Sequence, residues 1–145
     1  MSHRIAIIPA RGGSKRIPRK NIREFCGRPM IEWPIRAALE SECFSKVIVS
    51  TDCEEIAACA EAAGAAIPFL RPPELAGDLS PFMPVIRDAL ARCVPDQRDL
   101  NSAFAIYATA AFLTPSLLRD ACSKLDTTDP PDFVLSTTQF VYPPQ

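Results

Sequence analysis

A short apolar run that leads directly into a basic loop is the feature that most constrains the fold of this chain. The run Ile5-Ala6-Ile7-Ile8 is apolar and rich in β-branched residues, as in a buried strand. Gly12 and Gly13 follow it closely. Glycine permits close backbone approach, so the N–H groups of this loop can point at an anion. A strand that ends in such a loop is typical of α/β proteins, which bind ligands beyond the carboxyl ends of their strands.

Positive charge is concentrated in the same stretch. The chain has sixteen lysines and arginines, and many of them lie between residues 11 and 28, where Glu24 is the only acid. The basic residues of this stretch are Arg11, Lys15, Arg16, Arg19, Lys20, Arg23 and Arg28. The whole chain has a formal net charge of −1 and a pI of about 5.8, which is not the charge balance of a nucleic-acid-binding domain. The pattern favours a small polyanionic ligand, and the alternatives are a solvated loop or a nucleic-acid patch.

The spacing of the loop residues argues against two common nucleotide-binding motifs. No Gly-Lys-Ser or Gly-Lys-Thr follows at the spacing of a Walker A loop. The Gly-x-Gly-x-x-Gly pattern of dinucleotide-binding proteins does not occur here either. The residues alone therefore predict a phosphate-binding loop without naming a reaction.

Composition sets the broad class of the protein. A chain of 145 residues is long enough for one domain with a real core, and 48% hydrophobic with 23% charged residues is ordinary for a globular protein. No apolar run approaches the roughly 18 residues of a membrane span. The amino terminus lacks the apolar region of a signal peptide, because Pro9 and Arg11 interrupt it. We therefore expect a cytoplasmic protein that contacts neither membrane nor nucleic acid.

The cysteines and the single histidine argue against a metal centre or a histidine-based nucleophile. The six cysteines contain no Cys-x-x-Cys pair, and His3 is the only histidine. Structural zinc is therefore not predicted, and neither a Cys–His nor a Ser–His–Asp site can be assembled. We expect the cysteines to be reduced thiols.

Five strands alternate with helices along the chain. An α/β fold is therefore predicted: a Rossmann-like, mostly parallel sheet with helices on both faces. The predicted strands are 4–8, 47–49, 66–69, 103–107 and 133–136.

Prolines and capping residues indicate where several of the helices begin. Pro34 would kink a helix that began earlier, or it would lie in the first turn of a helix that begins near Glu32. Ser80-Pro81 and Thr114-Pro115 have the pattern of an N-cap followed by a first-turn proline.

Polar residues follow several of the predicted strands. Asp52, with Glu55 three residues on, is predicted to cap the next helix, and a ligand contact is the alternative. Arg71 follows the third strand and precedes two prolines, so it is either a ligand-binding or a surface arginine. The carboxyl ends of parallel strands meet at one sheet edge, so the basic loop, Asp52, Arg71 and Thr109 are expected to converge there.

Several ordered motifs resemble one enzyme family. Residues 8–21, Ile8-Pro9-Ala10-Arg11-Gly12-Gly13-Ser14-Lys15-Arg16-Ile17-Pro18-Arg19-Lys20-Asn21, resemble the signature of the cytidylyltransferases that activate acidic nine-carbon sugars. These are the acylneuraminate (sialic acid) cytidylyltransferases and their pseudaminic acid relatives. The segments 49–52, 70–72 and 74–78 resemble the same family in the same order. The segments 18–21, 25–31 and 106–109 are most similar to the pseudaminic acid branch.

The resemblance implies a reaction and a set of roles. The family joins CTP to the anomeric hydroxyl of the sugar and releases pyrophosphate, with pseudaminic acid favoured here and sialic acid as the alternative. Its fold is that of the nucleotide-diphospho-sugar transferases. By resemblance, Arg11 and Lys20 would be catalytic, and Tyr107 and Thr109 would contact the sugar. The nucleotide-binding residues would be Ala10, Gly12, Gly13, Ser14, Lys15, Asn21 and Arg71.

The resemblance also implies parts that this sequence does not supply. Residues 1–145 would form a single nucleotidyltransferase domain, equivalent to the N-terminal, CTP-binding part of the family. The ligands of a magnesium ion and the segment that forms a homodimer are expected beyond Gln145. Two further hypotheses stay open: another sugar nucleotidyltransferase, such as a deoxyoctulosonate cytidylyltransferase, and a truncated fragment that binds nucleotide without turnover.

Overall fold

A parallel sheet organises the structure, a computed structural model that describes residues 3–77, 80–94, 96, 98 and 100–137. The central strand, β1 (Arg4–Pro9), pairs with β4 (Lys46–Ser50) on one side and with β5 (Ser102–Ala105) on the other. Both pairings are parallel. Ile5 to Ile8 are fully buried, because helices cover both faces of this strand.

Helices lie on both faces of the sheet, as the alternation of elements predicts. Ala6 and Ile8 point to one face, where they pack with residues of α1 (Glu32–Ser41), α2 (Glu54–Ala62) and α4 (Pro115–Leu125). Ile5, Ile7 and Ile48 point to the other face, where they pack against α3 (Phe82–Cys93). The side chains of β1 therefore divide between two cores.

A small antiparallel hairpin precedes α1. It is formed by β2 (Glu24–Phe25) and β3 (Arg28–Pro29), and Cys26 and Gly27 make its turn with positive φ. The next element, α1, begins at Glu32, so Pro34 lies in its first turn and is buried there. This outcome selects the second of the two alternatives for Pro34, since a first-turn proline loses no helical hydrogen bond.

The predicted third strand is only partly formed. Residues 66–70 run parallel to β4 but touch it through isolated bridges, Ile48 with Ala66 and Thr51 with Leu70. Pro68 lies between the bridges and has no N–H to donate to a ladder. The segment nevertheless delivers Arg71 to the end of the sheet.

The predicted fifth strand, 133–136, is wrong within the described residues. Phe133 and Leu135 are exposed, and residues 133–136 have no strand assignment. A strand needs a partner for its backbone N–H and C=O groups, and the described sheet order β4-β1-β5 offers no strand beside this segment.

Two of the predicted helix caps need correction. Cys53, not Asp52, is the N-cap of α2, and it makes no side-chain cap bond. Pro81, not Ser80, is the N-cap of α3, so this helix begins one residue later than predicted. Thr114 caps α4 as expected, and its side chain accepts a hydrogen bond from Leu117 N at 3.3 Å.

The cap of α4 leads to a stability prediction. We expect Thr114→Ala to lower the free energy of unfolding by about 1 kcal/mol, because Leu117 N loses its acceptor at the start of the helix. Urea denaturation followed by circular dichroism measures the change. Thr128→Ala, in the exposed turn after α4, is the matched control. Equal losses in the two variants would contradict the cap as the cause.

Candidate functional site

A cleft of about 230 Å³ opens at the carboxyl edge of the sheet. Its walls come from the loop after β1, the segment after residues 66–70, the start of α3 and the loop after β5. The described lining residues are Pro9, Arg11, Ser14, Lys20, Asn21, Arg71, Gly77, Ser80, Phe82, Val85, Tyr107, Ala108 and Thr109. Residues of the basic loop, Arg71 and Thr109 therefore line one cleft, as the sequence predicts.

The basic loop is anchored to the end of β4. Ala10 N donates to Ser50 O at 2.9 Å, and Gly12 N donates to Asp52 Oδ1 at 2.9 Å. Asp52 thus holds the loop by its carboxylate instead of capping α2. An exposed ion pair between Arg19 and Glu55, with 2.8 Å between Nη2 and Oε2, adds a weaker link to α2.

Gly12 is required by close packing and not by its backbone angles. A Cβ at this position would lie 2.8 Å from Cys53 Cβ, closer than such atoms normally approach. Gly13, the next residue, has nothing within 4 Å of an added Cβ. The two glycines of the loop therefore differ: the first permits the loop to pack on α2, whereas the second faces open space.

Asn21 closes the loop from the other side. Its side chain is buried, and its Nδ2 donates to Arg11 O at 3.0 Å. Its own carbonyl accepts from Ile31 N at 2.8 Å, which joins the loop to the start of α1. Asn21 therefore fixes the backbone of Arg11 while it lines the cleft.

Arg71 is buried, with 6% of its surface exposed, so the surface-arginine alternative is wrong. Its Nε donates to Ser50 Oγ at 3.1 Å, its Nη2 donates to Ser50 O, and its backbone N donates to Thr51 O at 2.7 Å. Burial lowers the pKa of the guanidinium, which the nearby Asp52 carboxylate raises in part. An arginine stays charged even so, and a cation with reduced hydration attracts an anion strongly.

The opposite wall of the cleft is aromatic. The rings of Phe82 and Tyr107 stack with their centroids 5.0 Å apart and their planes 29° apart. Tyr107 is 66% exposed, so its outer face is open to a ligand. Thr109 and Val85 line the same cleft.

Sequence reasoning missed Phe82 and Ser80 as residues of the cleft. The sequence pattern predicts Ser80 only as a helix cap and assigns no role to Phe82. The true helix start, one residue later, leaves Ser80 on the cleft wall and places Phe82 in the first turn facing Tyr107. A serine-proline-aromatic sequence carries no signal that distinguishes these arrangements.

The remaining predicted residues lie around the cleft. Lys15 lines an adjoining cavity of about 260 Å³ with Arg11, Ser14 and Lys20, which border both spaces. Ala10 is buried beneath the loop, and Gly13 is exposed. Asp78, the last residue of the 74–78 motif, lies outside the described residues.

The described residues contain no cluster of metal ligands. Within residues 3–77, 80–94, 96, 98 and 100–137, no group of three or more histidine, cysteine or acidic residues is placed to hold a metal ion. Asp52 lies beside the loop, and its Oδ1 accepts a hydrogen bond from Gly12 N.

Within the described residues, no helix has the length and apolar character needed to cross a membrane.

The geometry agrees with the comparison to known families. A sequence model described as cytidylyltransferase matches residues 5–141. The chain belongs to the cytidylyltransferase family. This confirms the family named from the loop motif.

Cytidylyltransferases that act on acidic sugars are among its relatives. The pseudaminic acid cytidylyltransferase of Campylobacter jejuni is 39% identical over 141 residues, which cover 97% of this chain and 60% of that protein. The N-acylneuraminate cytidylyltransferase of Escherichia coli is 38% identical over 141 residues, which cover 97% of this chain and 32% of that protein. The chain thus spans no more than 60% of the length of these two cytidylyltransferases.

A solved structure has the same fold. It is a CMP:2-keto-3-deoxy-manno-octonic acid synthetase complexed with CTP, with a TM-score of 0.72 and 19% sequence identity. The likeness covers 86% of this chain and 47% of that cytidylyltransferase. At 19% identity this likeness confirms the predicted α/β fold, but it does not indicate which substrate this chain uses.

The two loop glycines provide a matched test of how this cytidylyltransferase loop is packed. We expect Gly12→Ala to lower the free energy of unfolding by about 1–3 kcal/mol, because the added methyl group overlaps Cys53 and forces the loop from α2. Gly13→Ala should change it by less than about 0.5 kcal/mol, since its methyl group meets open space. Urea denaturation gives both values. A Gly13→Ala variant as unstable as Gly12→Ala would refute the packing argument.

Proposed function

We propose that the chain transfers CMP from CTP to the anomeric hydroxyl of an acidic nine-carbon sugar, with release of pyrophosphate. Pseudaminic acid is the favoured sugar, and sialic acid is the alternative. The observation that carries the proposal is a single cleft with a cationic wall and an aromatic wall. Similarity to the pseudaminic acid cytidylyltransferase of Campylobacter jejuni over 97% of this chain supports the choice of sugar.

The cationic wall suits the triphosphate of CTP. Arg11, Ser14 and Lys20 border both the cleft and the adjoining cavity, so phosphates can extend from one space into the other. A hydrogen bond between a charged donor and phosphate is short and strong, which makes Arg11 and Lys20 the catalytic pair of the proposal. Lys20 is exposed on a flexible stem and can follow the charge that develops on the leaving pyrophosphate.

The nucleoside is proposed to lie against Arg71 and Asn21. Both side chains are buried and held by the backbone, which gives the fixed donors that base or ribose recognition needs. Ala10, Gly12, Gly13, Ser14 and Lys15 shape the loop around the phosphates.

The sugar is proposed to occupy the wall formed by Tyr107 and Thr109. Its anomeric oxygen would attack the α-phosphorus while the bond from that phosphorus to the pyrophosphate oxygen breaks. The hydroxyl proton passes to solvent in this scheme. Positioning and charge neutralisation are the chief contributions that a protein makes to such a transfer.

Magnesium belongs to the proposal only as an expectation from the family. Bound magnesium would neutralise charge on the phosphates. By the resemblance to the family, the ligands are proposed to lie beyond Gln145, and no step is assigned to the ion. A homodimer and a cytoplasmic location are proposed on the same resemblance.

Nucleotide binding without turnover is the second candidate. It is supported by the cationic residues Arg11 and Lys20, which border both the cleft and the adjoining cavity and would hold a triphosphate with or without transfer. The cleft would bind CTP equally well in either case. Binding and turnover therefore have to be measured separately.

The deciding experiment measures both on the same sample. We expect CTP to bind in calorimetry, and pyrophosphate to be released when magnesium and pseudaminic acid are added, with less release from sialic acid. Lys20→Ala should weaken CTP binding by about 10–100-fold, since a charged hydrogen bond to phosphate contributes about 1.5–3 kcal/mol.

The control and the outcomes separate the two candidates. Lys46→Ala removes an exposed lysine at the amino end of β4, away from the cleft, and should leave CTP binding unchanged. Binding without release would support the nucleotide-binding candidate. Absence of both binding and release would overturn the proposal for this chain.

The aromatic wall gives a separate prediction about the sugar. We expect Tyr107→Ala to raise the KM for the sugar by about 3–10-fold with a smaller effect on CTP, because the apolar side of the sugar loses its contact with the ring and burial contributes about 0.8 kcal/mol per CH₂ group. Phe82→Ala should have a similar effect, since it removes the ring on which Tyr107 stacks.

Tyr107→Phe is the matched control for the aromatic wall. It keeps the stack and removes only the hydroxyl group, so it should retain most of the affinity for the sugar. Steady-state pyrophosphate release with each sugar measures the set. A larger loss for CTP than for the sugar would place this wall at the nucleotide instead.

A further inference from the structure

Two cysteines meet at the opposite edge of the sheet from the cleft. Cys43 lies in the connection between α1 and β4, and Cys122 lies in α4. Both cysteines line one groove, and Cys43 is close enough to influence the pKa of the Cys122 thiol. The Cys43 thiol itself donates to Ser41 O at 3.5 Å. Cys122 is buried, with 4% of its surface exposed, whereas Cys43 is half-buried. The pair thus combines one reachable thiol with one that is shielded.

A groove of about 640 Å³ gives access to the pair. Both cysteines line it, together with Arg4, Arg119 and Asp126. Arg119 Nη1 also donates to Glu40 O at 3.3 Å, so α4 and the end of α1 are in contact along this groove. Arg4 contributes positive charge here, although it is paired with Asp126. The charged residues of the groove are balanced, two cations (Arg4 and Arg119) against two acids (Glu42 and Asp126), so access to Cys43 depends on the open space of the groove.

We propose that Cys43 and Cys122 are a reactive dithiol that low-molecular-weight disulfides, such as oxidised glutathione, convert reversibly into an intramolecular disulfide. The inference is independent of the proposed function, because neither cysteine lines the cleft. It adds a modification site that links the α1–β4 connection to α4.

The reaction balances in two exchange steps. The Cys43 thiolate attacks one sulfur of oxidised glutathione, which releases one glutathione thiolate and leaves a mixed disulfide on Cys43. Cys122 then loses its proton to solvent and attacks Cys43 Sγ, which releases the second glutathione. Two protein thiols are oxidised to one disulfide, and one glutathione disulfide is reduced to two thiols.

The surroundings of Cys122 assign the order of attack. Burial raises the pKa of its thiol to about 12, with a further contribution from the neighbouring Cys43. Arg4 from β1 lowers this pKa in part, Asp126 after α4 raises it, and Arg119 and Glu42 are the other charged groups on the groove. Cys43 is therefore the first nucleophile, and the second step should become faster as the pH rises toward the pKa of Cys122.

The test is a peptide map under oxidising conditions. The purified chain is treated with oxidised glutathione, free thiols are trapped, and a digest without reductant is analysed by mass spectrometry. We expect a peptide pair joined through Cys43 and Cys122. The melting temperature should rise by on the order of 10 °C, because the bond closes a loop of roughly 80 residues, and dithiothreitol should reverse the rise.

Single variants provide the controls. Cys43→Ser should abolish the joined peptides and the rise in melting temperature, and Cys93→Ser should keep both. Cys122→Ala should stop the reaction at the glutathione adduct of Cys43. Because Cys122 is buried, its substitution can prevent folding. If Cys122→Ala does not fold, the loss of the joined peptides in Cys43→Ser tests the proposal.

Cys26 shows whether the reagent was effective, because it is exposed and should acquire glutathione. Complete modification of Cys26 without any Cys43–Cys122 link would overturn the proposal. Links formed equally to Cys59 or Cys93 would also overturn it, since they would indicate oxidation without a preferred pair.

Discussion

The carbonyl group of Ser50 is the point on which the cleft depends. It accepts one hydrogen bond from Ala10 N and another from the guanidinium of Arg71. A carbonyl oxygen has two lone pairs, so both bonds can form together. One atom at the end of β4 therefore joins the loop after β1 to the arginine that follows residues 66–70. The three chain segments can hardly move independently.

This arrangement explains how a nearly neutral protein presents a strongly positive cleft. The charged residues of the described lining, Arg11, Lys20 and Arg71, are all cations. Asp52 is close by but accepts from Gly12 N, so its charge is used to hold the loop in place. Burial of Arg71 costs hydration energy, which hydrogen bonds to Ser50 offset in part. The fold thereby places a cation with reduced hydration at the floor of the cleft.

Much of this could be predicted from the sequence, because the signals are local. The run Ile5–Ile8 and the glycines and cations after it predict a strand that ends in a basic loop without reference to any other part of the chain. Parallel strands bring their carboxyl ends to one edge, so the meeting of the loop with Arg71 and Thr109 followed from topology. Thr114 was identified as a cap for the same reason, since its partner is three residues away.

The features that were predicted wrongly or missed depend on residues that are distant in sequence. Asp52 fits a capping pattern with Glu55, but its carboxylate bonds to Gly12, forty residues earlier. Residues 133–136 have the composition of a strand, yet strand formation depends on a neighbour that no local pattern reveals. The stack of Phe82 on Tyr107 also joins two elements far apart in sequence. Only the folded chain decides such pairings.

One wall of the cleft is cationic and the other is aromatic, so the two walls suit different kinds of chemical group. The two proposed substrates, CTP and an acidic sugar, are both anions, so a lining without a described acid would favour both over neutral molecules. The positive charge of the lining does not distinguish between two anions. We propose that shape and the aromatic wall distinguish them, because the exposed face of Tyr107 can pack against the apolar side of a sugar ring and offers no charge to a phosphate. In the proposed reaction the triphosphate of CTP therefore lies at the basic loop, and the sugar lies against the wall formed by Tyr107 and Thr109.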